Sequence, residues 1–113
     1  MSTATQARLW YLQRISAMVL ALCVVVHIVT IVHAVRGGLT GAEILGRTRG
    51  NGVFAAFYVL FVVAAAIHAP IGLARIAEEW LQWRGRLLNG LLLIFAVVLV
   101  AVGLSAVWGL YGV

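Results

Sequence analysis

The chain has 113 residues, 65% of them hydrophobic and 10% charged, and a formal net charge of +5. This length allows one small domain. Because a soluble domain carries roughly 25% charged residues, the composition excludes an ordinary water-soluble protein and favours one whose solvent is lipid. All 8 basic residues are arginines, and they lie at the ends of apolar runs. That placement suits membrane flanks and argues against a nucleic-acid partner.

The first predicted element is a transmembrane helix over residues 15–35, ISAMVLALCVVVHIVTIVHAV. Its 21 residues carry no formal charge, and at 1.5 Å per residue they cross a hydrocarbon core of about 30 Å. The polar stretch before it, MSTATQARLWYLQR, resembles the start of a signal peptide. The apolar run is too long for one, and no clear cleavage site interrupts it. We therefore expect a retained membrane span.

Two further spans follow, over residues 53–77 and 87–107. They contain many valines and isoleucines, but a lone strand in lipid leaves its backbone unpaired, so we expect helices. The first connection, RGGLTGAEILGRTRGNG, is a loop with one helical turn at TGAEIL. The second, RIAEEWLQWRGR, is an interfacial helix end followed by a turn at Gly85. The sequence predicts an all-α membrane protein with three transmembrane helices in a single anchor domain, residues 1–113.

The arginines predict the orientation of these spans. The N-terminal side and the second connection hold five, and the first connection holds three: Arg8, Arg14, Arg75, Arg84 and Arg86 against Arg36, Arg47 and Arg49. The positive-inside rule then places the N-terminus in the cytoplasm and the C-terminus on the outer side. Arg75 also precedes Glu78 and Glu79 by three and four residues, a spacing that predicts an ion pair on the helix surface.

Three histidines, His27, His33 and His68, lie in or beside the spans, where an imidazole is costly unless it is used. His68 lies ten residues before Glu78, and His27 lies thirteen residues after Arg14. On antiparallel helices these spacings predict similar depths, at which two imidazoles can ligate one haem iron from both sides. His33 is predicted at the outer interface. The plainer alternative is that each histidine bonds a neighbouring helix.

The residues after His68 bear on this choice. Pro70 cannot donate to the carbonyl of Ala66, and Gly72 removes a side chain one turn beyond the histidine. We expect these two residues to open a face for a flat macrocycle. Structural zinc is disfavoured, because it takes four protein ligands, while the spans have no acidic residue and only Cys23 as a thiol.

Three segments carry a resemblance to a known family. They are LQRISAMVL, residues 12–20; IHAPIGLARIAEEW, residues 67–80; and RLLNGLLLIFAVVLVAVGLSAVWGLYGV, residues 86–113. The chain resembles the membrane-anchor subunits of succinate dehydrogenase and fumarate reductase, the complex II family. In the family's second helix, a haem-ligating histidine is followed four residues later by glycine, as His68 is by Gly72.

The resemblance implies roles for residues at matching positions. His68 would be an axial ligand of haem b, and Arg14 would lie near a haem propionate or the quinone. Glu79 stands at the acidic position, and Trp80 replaces the family's quinone-bonding tyrosine. An indole donates one hydrogen bond but has no hydroxyl to deliver a proton. Members of one type also carry a serine four residues before the arginine, where this chain has Trp10.

A quinone site is predicted at the cytoplasmic ends of the helices, where polar and aromatic residues collect: Gln13, Arg14, Glu78, Glu79, Trp80 and Trp83. The alternative for the tryptophans is interface anchoring. The second iron ligand is predicted by depth to be His27. Its rival is a histidine from a partner anchor chain or from a second copy of this chain, because the family often shares one haem between two anchors.

The chain has no phosphate loop, cysteine cluster or flavin fingerprint, so it is not expected to oxidise succinate itself. The resemblance implies a non-catalytic electron-transfer and anchor subunit. The resemblance implies flavoprotein and iron–sulfur partners, electron delivery to quinone, and a place in the inner membrane and the tricarboxylic acid cycle. One alternative is a haem-free anchor or assembly subunit. Another, a transporter or channel subunit, is disfavoured by spans without acidic residues.

Overall fold

The computed structural model describes residues 2–112. It contains four helices: α1 over Thr3–Gly37, α2 over Gly41–Thr48, α3 over Gly52–Trp80 and α4 over Arg86–Tyr111. No strand occurs among these residues. α1, α3 and α4 are long and apolar enough to cross a membrane, which confirms the prediction of an all-helical protein with three candidate spans. The helices extend beyond the predicted spans, since α1 alone has 35 residues, or about 52 Å of helix.

Polar side chains mark where three of the helices begin. Ser2, Thr40 and Asn51 each accept a hydrogen bond from the backbone N–H three residues later, at 3.2, 3.1 and 3.0 Å. These are N-caps, which satisfy one of the free N–H groups of the first turn. α4 begins instead after Gly85, whose φ of +127° favours glycine. The predicted turn at Gly85 therefore separates α3 from α4.

α3 is the central helix, because it packs against both α1 and α4. Its contact with α4 depends on close approach of the backbones. A Cβ atom on Gly103 would lie 2.6 Å from Cγ1 of Val62. Small residues at such seams let membrane helices approach closely. Most large apolar side chains face outward, as expected where lipid is the solvent, and Cys23 is buried as a small apolar residue.

α2 closes the end of α4, and it is longer than the single turn predicted for this connection. The hydroxyl of Thr48 donates to the carbonyl of Leu110 at 2.7 Å. The N–H of Gly50 donates to the carbonyl of Tyr111 at 2.9 Å. The last four carbonyls of a helix have no partner within it, so this connection supplies partners that α4 lacks.

Candidate functional site

His68 lies on α3 one turn before Gly72, where α1 packs against α3, and it makes no side-chain hydrogen bond within residues 2–112. Its side chain is half-buried, and Nδ1 is buried with no partner among residues 2–112. One turn later, a Cβ on Gly72 would lie 3.3 Å from Nε2 of Gln13 on α1. Oε1 of Gln13 is also buried without a partner in the described chain. The seam therefore brings a histidine and a glutamine together on adjacent turns, each with unused hydrogen-bonding capacity.

Ser16 borders this part of the seam. It is 4% exposed, and its hydroxyl donates to the backbone carbonyl of Gln13 at 3.1 Å. Its donor is therefore already used within α1. Because Gly72 has no Cβ atom, the amide of Gln13 can lie directly against α3. Sequence reasoning connected Gln13 with the quinone and did not find its proximity to Gly72.

His27 has a different environment. Nδ1 lies 2.7 Å from the hydroxyl oxygen of Tyr58, and the ring packs edge-on against Tyr58 and Phe61 with centroids 5.6 Å apart in both cases. Aromatic pairs favour such edge-to-face contacts. His27 thus bonds a neighbouring helix, which is the plainer of the two roles considered for it.

The structure corrects the predicted depth of His27. The ring lies level with Phe61, which is seven residues before His68 on α3, or about 10 Å at 1.5 Å per residue. The sequence prediction took Arg14 and Glu78 as level with each other. Gln13 instead lies against Gly72, about 9 Å before Glu78 by the same rise. The fold therefore does not bring His27 and His68 together.

The residues predicted for the quinone site are spread over separate surfaces. The guanidinium of Arg14 lies 5.1 Å from the ring centroid of Trp10, beside a surface groove on α1. Trp80 is 80% exposed at the end of α3, and Glu79 is also exposed. Within residues 2–112, no hydrogen bond or ion pair joins Arg14 to Glu79, and the cation–π contact of Arg14 is with Trp10. Trp83 lies exposed in the connection to α4.

A polar chamber of about 380 Å³ lies instead where α1 begins, α3 ends and α4 begins. Nη1 of Arg75 lies 3.2 Å from Oε2 of Glu78, which confirms the predicted ion pair and identifies Glu78 as the partner. Gln6, Arg84 and Asn89 complete the polar lining. Sequence reasoning missed Gln6 and Asn89. Asn89 could have been found from the sequence, because it is an amide near the start of an apolar span.

An apolar groove of about 440 Å³ shares Arg75, Glu78 and Asn89 with this chamber and extends between the three long helices. Pro70 lines the groove together with Ala66. Two residues along a helix correspond to a rotation of about 200°, so Pro70 faces away from His68. The prediction that Pro70 opens a face beside His68 is therefore wrong.

A further cavity of about 350 Å³ lies at the opposite end, under α2. It is lined by His27 and Tyr58 and by His33, which lies at the exposed surface. Arg47 on α2 contributes to the wall, and its guanidinium pairs with Glu43 at 3.7 Å. The structure thus places His33 at the end of the spans, away from His68.

Comparison with known proteins agrees with this architecture. No curated protein and no solved structure shows significant similarity to the chain. A family model described as the succinate dehydrogenase/fumarate reductase transmembrane subunit matches residues 1–105. This match covers α1, α2, α3 and most of α4. The chain is a multi-pass membrane protein that belongs to the family of succinate dehydrogenase/fumarate reductase transmembrane subunits.

Proposed function

We propose that this chain is a membrane-anchor subunit that binds haem b through His68 and passes electrons between an iron–sulfur partner and membrane quinone. The observation that carries the proposal is the environment of His68. It lies within a candidate span, and Nδ1 is buried without a partner in the described chain. His27, on the neighbouring span, is already bonded to Tyr58. A histidine within a candidate span that none of the described residues bonds is best explained by a ligand.

The chemistry of the His68 ring suits a haem iron, because the ring offers Nε2 to the metal when the proton is on Nδ1. The amide of Gln13 lies against Gly72 one turn away, so Gly72 leaves no room for the macrocycle on that side. Bound haem b would supply an iron that takes up and releases one electron at a time. The second axial ligand is proposed to come from a partner anchor chain or a second copy, because His27 lies at the level of Phe61. His27 as that ligand is the alternative to be tested.

Quinone reduction takes two electrons and two protons, and the protein has to stabilise charge and deliver those protons. Arg14 is proposed to stabilise negative charge that develops on a quinone oxygen, and Glu79 to relay protons from the aqueous side. Trp80 can donate one hydrogen bond from its indole. Trp80 and Trp83 are proposed to complete the site together with a partner, because both are exposed, at the end of α3 and just after it.

The proposed orientation has the N-terminus in the cytoplasm and the C-terminus outside the inner membrane, following the five arginines against three. The end of α3 then faces the cytoplasm, where flavoprotein and iron–sulfur partners would bind. The proposal treats the chain as one anchor domain in a respiratory complex of the tricarboxylic acid cycle. The remaining alternative is an anchor without haem, in which His68 contacts only protein or lipid.

A dithionite-reduced minus oxidised spectrum of the purified complex tests the haem. We expect a b-type α-band that is lost in His68→Ala and kept in His27→Ala and His33→Ala, all with normal amounts of chain in the membrane. Retention of the band in His68→Ala contradicts the assignment. Absence of the band in the freshly isolated wild-type complex favours the haem-free anchor, and loss of the band in His27→Ala alone identifies His27 as a ligand.

A further inference from the structure

Two buried polar atoms in the α1–α3 seam lack partners among the described residues, and they are complementary. They are Nδ1 of His68 and Oε1 of Gln13. The amide of Gln13 lies against Gly72, one turn after His68, so the two side chains occupy adjacent turns of one seam. A buried polar group without a partner destabilises the folded protein, and native proteins contain few of them. Pairing of these two atoms would give each of them a hydrogen-bond partner.

The chemistry of haem binding determines which atom donates. A neutral imidazole carries one N–H group and one lone pair. If Nε2 gives its lone pair to iron, Nδ1 carries the proton and becomes a donor. The oxygen of the Gln13 amide is an acceptor. Metal-bound histidines almost always donate their second N–H to such an acceptor, which fixes the ring orientation and raises the basicity of the ligand.

We infer that Gln13 is a positioning residue for His68. Its amide oxygen accepts a hydrogen bond from Nδ1–H, which fixes the plane of the imidazole and lowers the reduction potential of the bound iron. The inference rests on the proposed haem site. Ser16, the buried hydroxyl nearby on α1, already donates to the carbonyl of Gln13. Gly72 allows the Gln13 amide to reach α3, since a Cβ there would lie 3.3 Å from Nε2. This role differs from the quinone contact that the sequence predicted for Gln13.

The test compares Gln13→Glu and Gln13→Met in the purified complex. A carboxylate acceptor strengthens the bond and stabilises ferric iron. We expect Gln13→Glu to raise the ferric-to-ferrous ratio about tenfold at a fixed ambient potential, a shift of about 59 mV for one electron. Methionine has nearly the same shape but accepts only weakly, so Gln13→Met should shift the ratio the other way. The largest g value in the electron paramagnetic resonance spectrum of the ferric haem should change in both variants.

Gln6→Met is the matched control, because Gln6 lies two turns earlier on α1 and lines the polar chamber. It should leave both the ratio and the g value at wild-type values. The inference is overturned if both Gln13 variants keep the wild-type ratio and g value while His68→Ala still loses the haem. A wild-type complex without haem, or a spectrum that survives His68→Ala, overturns the proposed function itself. If the Gln13→Met complex fails to assemble, the ferric-to-ferrous ratio and the largest g value of Gln13→Glu test the inference on their own.

Discussion

Nδ1 of His27 and the hydroxyl oxygen of Tyr58 lie 2.7 Å apart and join α1 to α3. The Phe61 ring also packs edge-to-face with the imidazole, with the centroids 5.6 Å apart. This pairing gives the His27 ring a partner and places it at the level of Phe61, about two turns from His68. It supplies a hydrogen-bond partner for one ring nitrogen of a histidine that lies in an apolar helix.

Replacement of Tyr58 by phenylalanine should destabilise the packing of α1 on α3. The change removes only the hydroxyl, so His27 loses its partner and the helix pair loses about 0.6–2 kcal/mol, the range for hydrogen bonds between membrane helices. Thermal denaturation of the complex in detergent measures the loss. Tyr11→Phe, at an exposed position, is the control. Loss of the haem band in Tyr58→Phe at unchanged stability would contradict a structural role for His27.

Replacement of Gly103 by alanine should weaken the α3–α4 contact. The new Cβ would lie 2.6 Å from Cγ1 of Val62, and overpacking of this kind costs about 1–3 kcal/mol. Gly90→Ala is the matched control on the same helix, because a Cβ there meets nothing within 4 Å. Val62→Ala combined with Gly103→Ala should restore stability. Equal thermal stability of the two glycine variants would show that the helices do not approach closely at Gly103.

Replacement of Thr48 by valine should release α2 from the end of α4. The isosteric change removes the 2.7 Å bond to the carbonyl of Leu110, at a cost of about 1 kcal/mol. Hydrogen exchange at residues 41–50 should become faster. Thr30→Val is the control, because the hydroxyl of Thr30 bonds the carbonyl of Val26 within its own helix. Unchanged exchange in Thr48→Val would show that α2 is held by other contacts.

Replacement of Arg14 by alanine should impair quinone reduction more than electron transfer to a water-soluble dye. The guanidinium is proposed to stabilise charge on the quinone, whereas a dye accepts electrons before the quinone is reached. Arg8→Ala, at an exposed position on the same helix, should affect neither activity. Equal loss of both activities in Arg14→Ala would point to defective assembly rather than to a role at the quinone.

Replacement of Glu79 by glutamine should slow quinone reduction, since the amide cannot relay a proton. Glu78→Gln is the comparison, because Glu78 pairs with Arg75 at 3.2 Å. We expect that variant to retain more quinone reductase activity than Glu79→Gln. The measurement is quinone reduction at saturating succinate, normalised to dye reduction. A larger loss in Glu78→Gln would move the proton path to the polar chamber around Arg75 and Asn89.

The number and type of the membrane-spanning elements followed from the sequence alone. In lipid each backbone N–H and C=O has to be paired within its own segment, so three long apolar runs become helices whatever their valine content. The turn in the second connection also followed from the sequence, because glycine tolerates the positive φ found at Gly85. In the first connection the sequence predicted only one helical turn, whereas α2 has 8 residues. The Arg75 ion pair depended only on spacing along one helix. Each of these features is decided by residues close together in the chain.

The register between helices was decided only by the tertiary structure. Hydropathy does not show which turn of α1 lies beside which turn of α3. Counting residues from the charged helix ends predicted the wrong depth for His27, because the helices extend beyond the apolar runs. Packing of Gln13 against Gly72, and of His27 against Tyr58, determines that register. It separates His27 from His68 and leaves His68 beside Gln13. Such contacts join residues far apart in sequence and depend on side-chain shape, so only the assembled helices reveal them.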